Sequence, residues 1–211
     1  MDDYRVEFLK VALAHLLAVA SPGPDFAVVL RQSLRFGRRT AIWTSLGVGM
    51  AIFWHVSYVC LGLGWLVHSG NFGFSGVKWA GAACLAWMGW QSLRALPTAP
   101  RLGEPEAGGV DAPRARRAFA VGFFTNALNP KAALFFVSLF ALVVSPLTPG
   151  GLQLAYGVWM AVVTMAWFCL VAVVFTRRDV QARFRRYSHW IDRSLGVVLL
   201  GFAVSLALAT R

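Results

Sequence analysis

Two short segments of the chain combine proline with a charged residue inside apolar surroundings. The first reads Ser21-Pro22-Gly23-Pro24-Asp25, and the second reads Thr125-Asn126-Ala127-Leu128-Asn129-Pro130-Lys131. Proline lacks an N–H group and clashes with the preceding helical turn, so each segment is predicted to interrupt a helix and to release backbone groups. A single segment of this kind could be a simple helix kink, but the presence of two such segments favours a functional interruption.

Each break is predicted to be followed by a new helix. Ser21 or Gly23 can cap a helix whose first residue is Pro24, and Asn129 can cap one whose first residue is Pro130. Both new helices would direct unpaired N–H groups and a positive dipole end toward the middle of the molecule. The breaks therefore predict a place that favours an anionic group.

Asp25 and Lys131 are the only carboxylate and the only ammonium predicted near the middle of the apolar segments. Burying either charge alone is costly. One interpretation is an ion pair that joins the two segments. The other is a zwitterion site, in which Asp25 binds an α-ammonium and Lys131 an α-carboxylate, and the two arrangements can alternate. Orienting hydrogen bonds would come from four further side chains, Ser21, Thr125, Asn126 and Asn129.

Two histidines fall inside apolar segments, His15 before the first break and His55 in the next segment. Either could carry protons in an exchange mechanism, and either could be a hydrogen-bonded packing residue. Protonation of Asp25 is the more economical coupling.

The elements that must position these residues are membrane helices. Of 211 residues, 58% are hydrophobic and 14% are charged, against about 25% charged in ordinary soluble domains. A helical crossing needs about 20 apolar residues. Apolar runs of about this length or longer cover residues 8–30, 40–67, 77–96, 118–144, 151–176 and 189–209. The predicted fold is an all-α, polytopic membrane protein with six transmembrane helices, because no segment alternates as a barrel strand would.

The order of the breaks predicts two halves. Residues 1–96 form a first three-helix repeat, residues 97–117 a cytoplasmic linker rich in Pro, Gly and Arg, and residues 118–211 a second three-helix repeat. Three crossings place the second half in the opposite orientation, so the repeats are inverted, with broken first and fourth helices. Paired interruptions at corresponding positions of two halves indicate a transporter site at the bilayer midplane.

Basic residues are concentrated in alternate connections between the apolar runs. The first, third and fifth connections are rich in arginine, and the second and fourth hold essentially none. The positive-inside rule then places the basic loops in the cytoplasm and both termini outside. The net charge of +11 is therefore attributed to topology and to contact with membrane lipid rather than to binding of nucleic acid.

Both broken segments resemble signatures of the LysE/RhtB family of amino-acid exporters. Ser21 through Phe26, with the basic segment up to Arg39, is similar to the family's first-helix signature, and Gly122 through Ala132 is similar to its fourth-helix signature. The resemblance covers essentially the whole chain. It implies efflux of a small amino acid or derivative, such as homoserine, threonine or lysine, across the bacterial inner membrane by proton antiport. It implies no cofactor and no enzymatic reaction.

Other functions fit the residues less well. A cation or metal efflux protein would need clustered ligands, and only Asp25 and two separated histidines lie in the segments, so no metal site is predicted. A membrane thiol–disulfide conduit would place a cysteine on the first helix of each half, whereas Cys60, Cys84 and Cys169 fall on the second, third and fifth. Pairing as a homodimer, the exported compound and the coupling ion are left open.

Overall fold

The computed structural model describes residues 2–68, 70–94, 112–145, 147–175 and 178–208. All regular structure in these ranges is helical, which confirms the all-α class. There are eight helices within them: α1 Asp2–Ala20, α2 Pro24–Phe36, α3 Arg38–His68, α4 Gly70–Leu93, α5 Ala115–Ala127, α6 Pro130–Leu142, α7 Gly150–Val174 and α8 Arg178–Leu208. Residues 97–111 of the predicted linker, Arg177 and the side chain of Cys84 lie outside the described residues.

Both predicted breaks are present. Residues 21–23 separate α1 from α2, and the two helices meet at an angle of 49°. Gly23 is the N-cap of α2 and Pro24 its first residue, while Asn129 caps α6 and Pro130 is the first residue of that helix. The predicted capping residues and helix starts are confirmed at both places.

The second break is shorter than predicted. α5 remains helical through Thr125 and Asn126 and ends at Ala127, so only Leu128 and Asn129 are non-helical. Proline disfavours the helical conformation mainly for the residue before it. Asn129 accordingly adopts φ −76° and ψ 112°, whereas the residues further upstream keep their helical conformation.

The helices also extend beyond the apolar runs. α1 begins at Asp2 rather than at residue 8, and α8 begins at Arg178 rather than at residue 189. An apolar run marks the part of a helix that favours lipid or core. Helical hydrogen bonding continues through flanking Arg, Gln and Ala, which are good helix formers.

Two helices of the described part are long and apolar enough to cross a membrane, namely the Arg38–Gly62 part of α3 and Gly150–Val174. The bent pair Tyr4–Ala20 and Pro24–Phe36 makes a third crossing if it counts as one span. Pro130–Leu142 is apolar but shorter. The remaining crossings of the six-helix arrangement stay a prediction.

The buried apolar side chains form two clusters. The larger joins α1, α3, α4, α6, α7 and α8, and includes Leu85, Phe140, Met160 and Leu195. The smaller joins α2 to α3 and α7 through residues such as Phe26, Val48 and Phe168. α1 and α6 thus pack in the larger cluster and α2 in the smaller one.

Glycines bring two helix pairs into backbone contact. A Cβ atom on Gly122 of α5 would lie 1.9 Å from the carbonyl oxygen of Thr44 in α3, and one on Gly47 would lie 2.0 Å from the carbonyl oxygen of Phe119. In the same way, Gly89 of α4 faces Gly196 of α8, with Cβ-to-oxygen distances of 2.9 and 2.8 Å. Small residues at membrane helix contacts allow this close approach.

Candidate functional site

The carboxylate of Asp25 lies where the two breaks meet. Its Oδ2 atom accepts hydrogen bonds from the amide nitrogens of Asn126 at 3.0 Å and Asn129 at 3.1 Å. Its Oδ1 atom is buried and has no hydrogen-bond partner. One oxygen is thus held by the second half of the chain, while the other retains its full capacity to accept a hydrogen bond.

Asn126 belongs to the end of α5, where the helix loses a hydrogen bond. Its carbonyl oxygen would normally accept from residue 130, but that residue is proline and has no N–H group. The backbone N–H of Asn129 donates to this oxygen at 2.9 Å, and His55 Nε2 lies 3.1 Å from it. The other ring nitrogen of His55 lies 2.8 Å from the Tyr58 hydroxyl, and the ring stacks on Phe136 at 5.0 Å.

The ammonium of Lys131 does not bond to Asp25. Lys131 Nζ donates to the Ser21 hydroxyl at 2.6 Å, and that hydroxyl in turn donates to Oδ1 of Asp192 on α8. The direct Asp25–Lys131 ion pair that the sequence left open is therefore not the contact made here. The ammonium instead faces a second carboxylate through one bridging hydroxyl.

Asp192 corrects the expectation that Asp25 is the only carboxylate near the break. It lies inside the predicted sixth segment, and a carboxylate within a membrane segment is itself a signal of function. Its Arg and His neighbours are typical of a basic loop, which hides that signal in the sequence. The site thus contains two carboxylates and one ammonium, with one unit of negative charge in excess among these three side chains.

A central cavity lies beside the breaks. It offers about 60 Å³ to the centres of water molecules, where about 10–15 Å³ is enough for one. Predicted site residues line it together with Thr164 and apolar side chains of every described helix except α5, in all His15, Ala18, Val19, Ser21, Gly23, Asp25, Phe26, Ile52, Met88, Asn126, Asn129, Lys131, Ala132, Phe135, Phe136, Thr164, Phe168 and Leu195.

His15 and Thr164 form a second polar group in the wall of this cavity. His15 Nε2 lies 3.1 Å from the Thr164 hydroxyl, and the Nδ1 atom is buried without a hydrogen-bond partner. His15 precedes Ser21 by six residues on α1, or about 9 Å along the helix axis. The sequence singled out His15 but gave no reason to select Thr164, since a threonine in an apolar helix commonly bonds to its own backbone.

A larger cavity of about 410 Å³ adjoins the first between α4, α6 and α8. Its lining includes both helix-starting prolines, two further residues of the break region and Asp192, in all Pro24, Trp87, Met88, Gln91, Ser92, Asn129, Pro130, Lys131, Leu134 and Asp192. Asn129 and Lys131 therefore face both cavities.

Most of the predicted site residues come together here, and two do not. The Thr125 hydroxyl donates at 2.7 Å to the carbonyl oxygen of Val121 in its own helix, and Thr125 lines neither cavity. His55 also lies outside both linings and reaches the site only through the Asn126 carbonyl. Adjacent helical residues point about 100° apart, so Asn126 faces Asp25 while Thr125 does not.

The family model of the LysE type translocator matches residues 16–210, which span both breaks, Lys131 and Asp192. The chain belongs to the LysE type translocator family. It is accordingly a helical membrane protein, and the matched range includes both broken segments that resemble the family signatures.

Named relatives cover nearly the whole chain. The threonine efflux protein of Escherichia coli K12 is 30% identical over 204 residues, covering 96% of this chain and 98% of its own length. The threonine efflux protein of Salmonella typhi is 28% identical over 209 residues, with the same coverage. The homoserine/homoserine lactone efflux protein of Salmonella typhimurium is 32% identical over 155 residues, or 72% of this chain and 70% of that protein. No solved structure matches the chain.

Proposed function

We propose that this protein exports a small amino acid or derivative across the bacterial inner membrane and binds it as a zwitterion between the two breaks. The observation that carries the proposal is Asp25, whose Oδ2 is fixed by two amides while its buried Oδ1 has no partner. An unpaired buried carboxylate oxygen is costly. An α-ammonium in the cavity would remove that cost by donating to it.

The α-carboxylate is proposed to bind at Lys131 and at the start of α2. Lys131 has its ammonium on a serine hydroxyl, a contact that a carboxylate can replace with a stronger charge-assisted bond. α2 begins at Gly23 without a side-chain cap, so the backbone N–H of Asp25 and the positive dipole end of the helix are proposed to favour the anion. Asn126 and Asn129 would keep Asp25 oriented while substrate binds.

The proposed topology is six crossings in two inverted repeats. Each half has the same order of elements: a broken pair, α1 and α2 or α5 and α6, followed by two long helices. This order supports the division at the segment 97–117. The basic connections would be cytoplasmic and both termini outside, with arginines and tryptophans at the lipid interface.

A side-chain hydroxyl on the substrate is proposed to bind at His15. If the imidazole donates to Thr164, its Nδ1 is a bare acceptor, and if it accepts from Thr164, its Nδ1 carries a proton. A hydroxyl group can serve either tautomer because it both donates and accepts. Threonine and homoserine, after which two relatives are named, carry such a group, whereas homoserine lactone, which the second name also includes, has only an acceptor oxygen there.

Proton antiport is the proposed coupling. The unpartnered Oδ1 atom of Asp25 can bond either the ammonium of the substrate or a proton, but not both at once. Substrate and proton would then bind alternately, which is the requirement for exchange. His15 and His55 remain alternative proton carriers.

The test is transport by purified protein in liposomes. We expect counterflow of radiolabelled L-threonine, accumulation driven by an imposed pH gradient, and loss of both in Asp25→Asn and Lys131→Ala. Lys10→Ala removes an exposed ammonium on α1 and is the matched control, which should transport as the parent does. Retained counterflow in both site variants, with all proteins eluting as folded in size exclusion, would refute the zwitterion site.

The same liposomes test the hydroxyl group. L-Valine has nearly the shape of L-threonine but no hydroxyl, and a site built to bind a hydroxyl should prefer threonine at least about tenfold. His15→Leu should reduce that preference toward unity. Equal transport of the two amino acids by the parent protein would leave the exporter function standing and remove His15 from it.

A further inference from the structure

The larger cavity has the size and the charges of a binding site in its own right. Its volume of about 410 Å³ falls in the range of small-molecule pockets, about 300–1,000 Å³. The central cavity, with about 60 Å³, has room for a few water molecules only. In the conformation described, the larger cavity therefore has room for a whole amino acid, and the central cavity would have to widen to admit one.

Two opposite charges stand in the wall of the larger cavity. Asp192 and Lys131 are the charged residues in its described lining, and the Ser21 hydroxyl connects them. The remaining lining is polar at Gln91, Ser92 and Asn129 and otherwise apolar. A carboxylate and an ammonium joined by one small hydroxyl are spaced for a molecule that carries both charges, because such a molecule can replace the hydroxyl at each.

Lys131 belongs to both cavities, whereas each carboxylate belongs to one. Asp25 lines the central cavity and Asp192 the larger one. Asp25 has its own two amide donors, so it does not depend on Lys131 for a partner. The lysine is thus shared between two carboxylates that lie in separate compartments.

Resting on the proposed function, we infer that the larger cavity is a second amino-acid binding site, in which Asp192 binds the α-ammonium and Lys131 the α-carboxylate. Lys131 stays bonded to the α-carboxylate of the substrate while the α-ammonium moves from Asp192 to Asp25. Gln91 and Ser92 lie at the end of α4 that leads to the basic linker, so the second site receives substrate from the cytoplasmic face.

The test is substrate protection of a cysteine placed in the wall of this cavity. Ser92→Cys is introduced after Cys60, Cys84 and Cys169 have been replaced by alanine, and its reaction rate with a small methanethiosulfonate reagent is measured with and without L-threonine. At a threonine concentration ten times its dissociation constant, the rate should fall about tenfold. Protection should persist in Asp25→Asn and disappear in Asp192→Asn.

The variants separate a binding role from a structural one. Asparagine at position 192 still accepts from Ser21, Asp192→Glu should restore protection, and Ser194→Ala, an exposed change on the same helix, should not affect it. Butyrate, which has a carboxylate but no ammonium, should fail to protect even when Asp192 is intact, so the test does not depend on the folding of any Asp192 variant.

Three results would overturn the inference. These are absence of protection by transported threonine, equal loss of protection in Asp25→Asn and Asp192→Asn, and protection by butyrate as strong as by threonine. Each is distinguishable from failure of the proposed function, which would show as no counterflow by the parent protein or as retained counterflow in both Asp25→Asn and Lys131→Ala.

Discussion

Proline interrupts the helix at both breaks, but the polar groups that it releases are hydrogen-bonded at one break and not at the other. At the second break, Asn129 caps α6 through its side chain, and the carbonyl oxygen of Asn126 is bonded by His55 and Asn129. At the first, Pro22 and Pro24 deprive the Ala18 and Ala20 carbonyls of their helical partners, and α2 begins without a side-chain cap.

The difference assigns the breaks separate tasks. The second is satisfied by the protein itself and serves as a fixed frame that holds Asp25 through its two amides. The first leaves the Ala18 and Ala20 carbonyls without their helical partners, beside the buried Oδ1 atom of Asp25, which has no hydrogen-bond partner. A broken helix is therefore a binding site only where the chain leaves its polar groups unpaired, and a structural joint where side chains pair them.

Among the substitutions that test this comparison, the largest loss of stability is expected from one that separates α5 from α3. Gly122→Ala would place a methyl group 1.9 Å from the Thr44 carbonyl oxygen, so the helices must move apart, at a cost of about 3 kcal/mol or more. We expect a large drop in the unfolding temperature in detergent, measured by loss of the folded peak in size exclusion.

The matched control is Gly201→Ala, a helical glycine with open space where the Cβ would lie. It should be as stable as the parent, or slightly more so, because alanine favours helix. Equal unfolding temperatures for the two variants would show that α5 and the second break are not held by this contact.

A smaller effect should follow from removing the partner of the Asn126 carbonyl. His55→Leu leaves a buried acceptor with one bond fewer, which should lower the free energy of unfolding by about 1–3 kcal/mol. His55→Gln keeps a donor and should recover most of that loss.

Transport then decides between the two roles of His55. If it only frames the break, His55→Gln should keep the accumulation of threonine under a pH gradient. If gradient-driven accumulation disappears while counterflow persists, His55 carries protons, and the second break is more than a frame.

The smallest effect should come from giving the first break the cap that it lacks. A Cβ on Gly23 would lie 3.9 Å from the nearest atoms of Lys131, so Gly23→Ser fits. Its hydroxyl should stabilise the start of α2 by a few tenths of a kcal/mol and should raise the KM for threonine about two- to tenfold, since it competes for the Asp25 N–H proposed for the substrate.

Gly23→Ala is the control for this change, because it adds the same carbon without an acceptor. It should leave the KM closer to that of the parent protein than Gly23→Ser does. An unchanged KM in both variants would mean that the N–H groups of α2 take no part in binding.

The sequence predicts the breaks well because proline acts locally. The starts of α2 and α6 and their capping residues follow from Pro24, Pro130 and the residue before each. A meeting of the breaks near Asp25 also follows from residue types, since a buried carboxylate and a buried ammonium need partners, although Asp25 bonds to Asn126 and Asn129 rather than to Lys131.

What the sequence does not predict depends on rotation and distance. Whether Thr125 or Asn126 faces Asp25 is decided by the phase of α5, which its packing on α3 sets. The hydroxyl of Ser21 meets Asp192 across 171 positions of chain, and no local pattern links them. The size of the two cavities depends on how α4 and α8 pack, which periodicity alone leaves undetermined.

The glycine contacts restrict how this molecule can change shape. Gly47 and Gly122 join α3 to α5, and Gly89 and Gly196 join α4 to α8, with the two backbones of each pair in close contact. Each pair is therefore expected to travel as one stiff body. Alternate opening toward the two faces would come from rocking these bodies against each other, with the short helices α2 and α6 as the parts that bend.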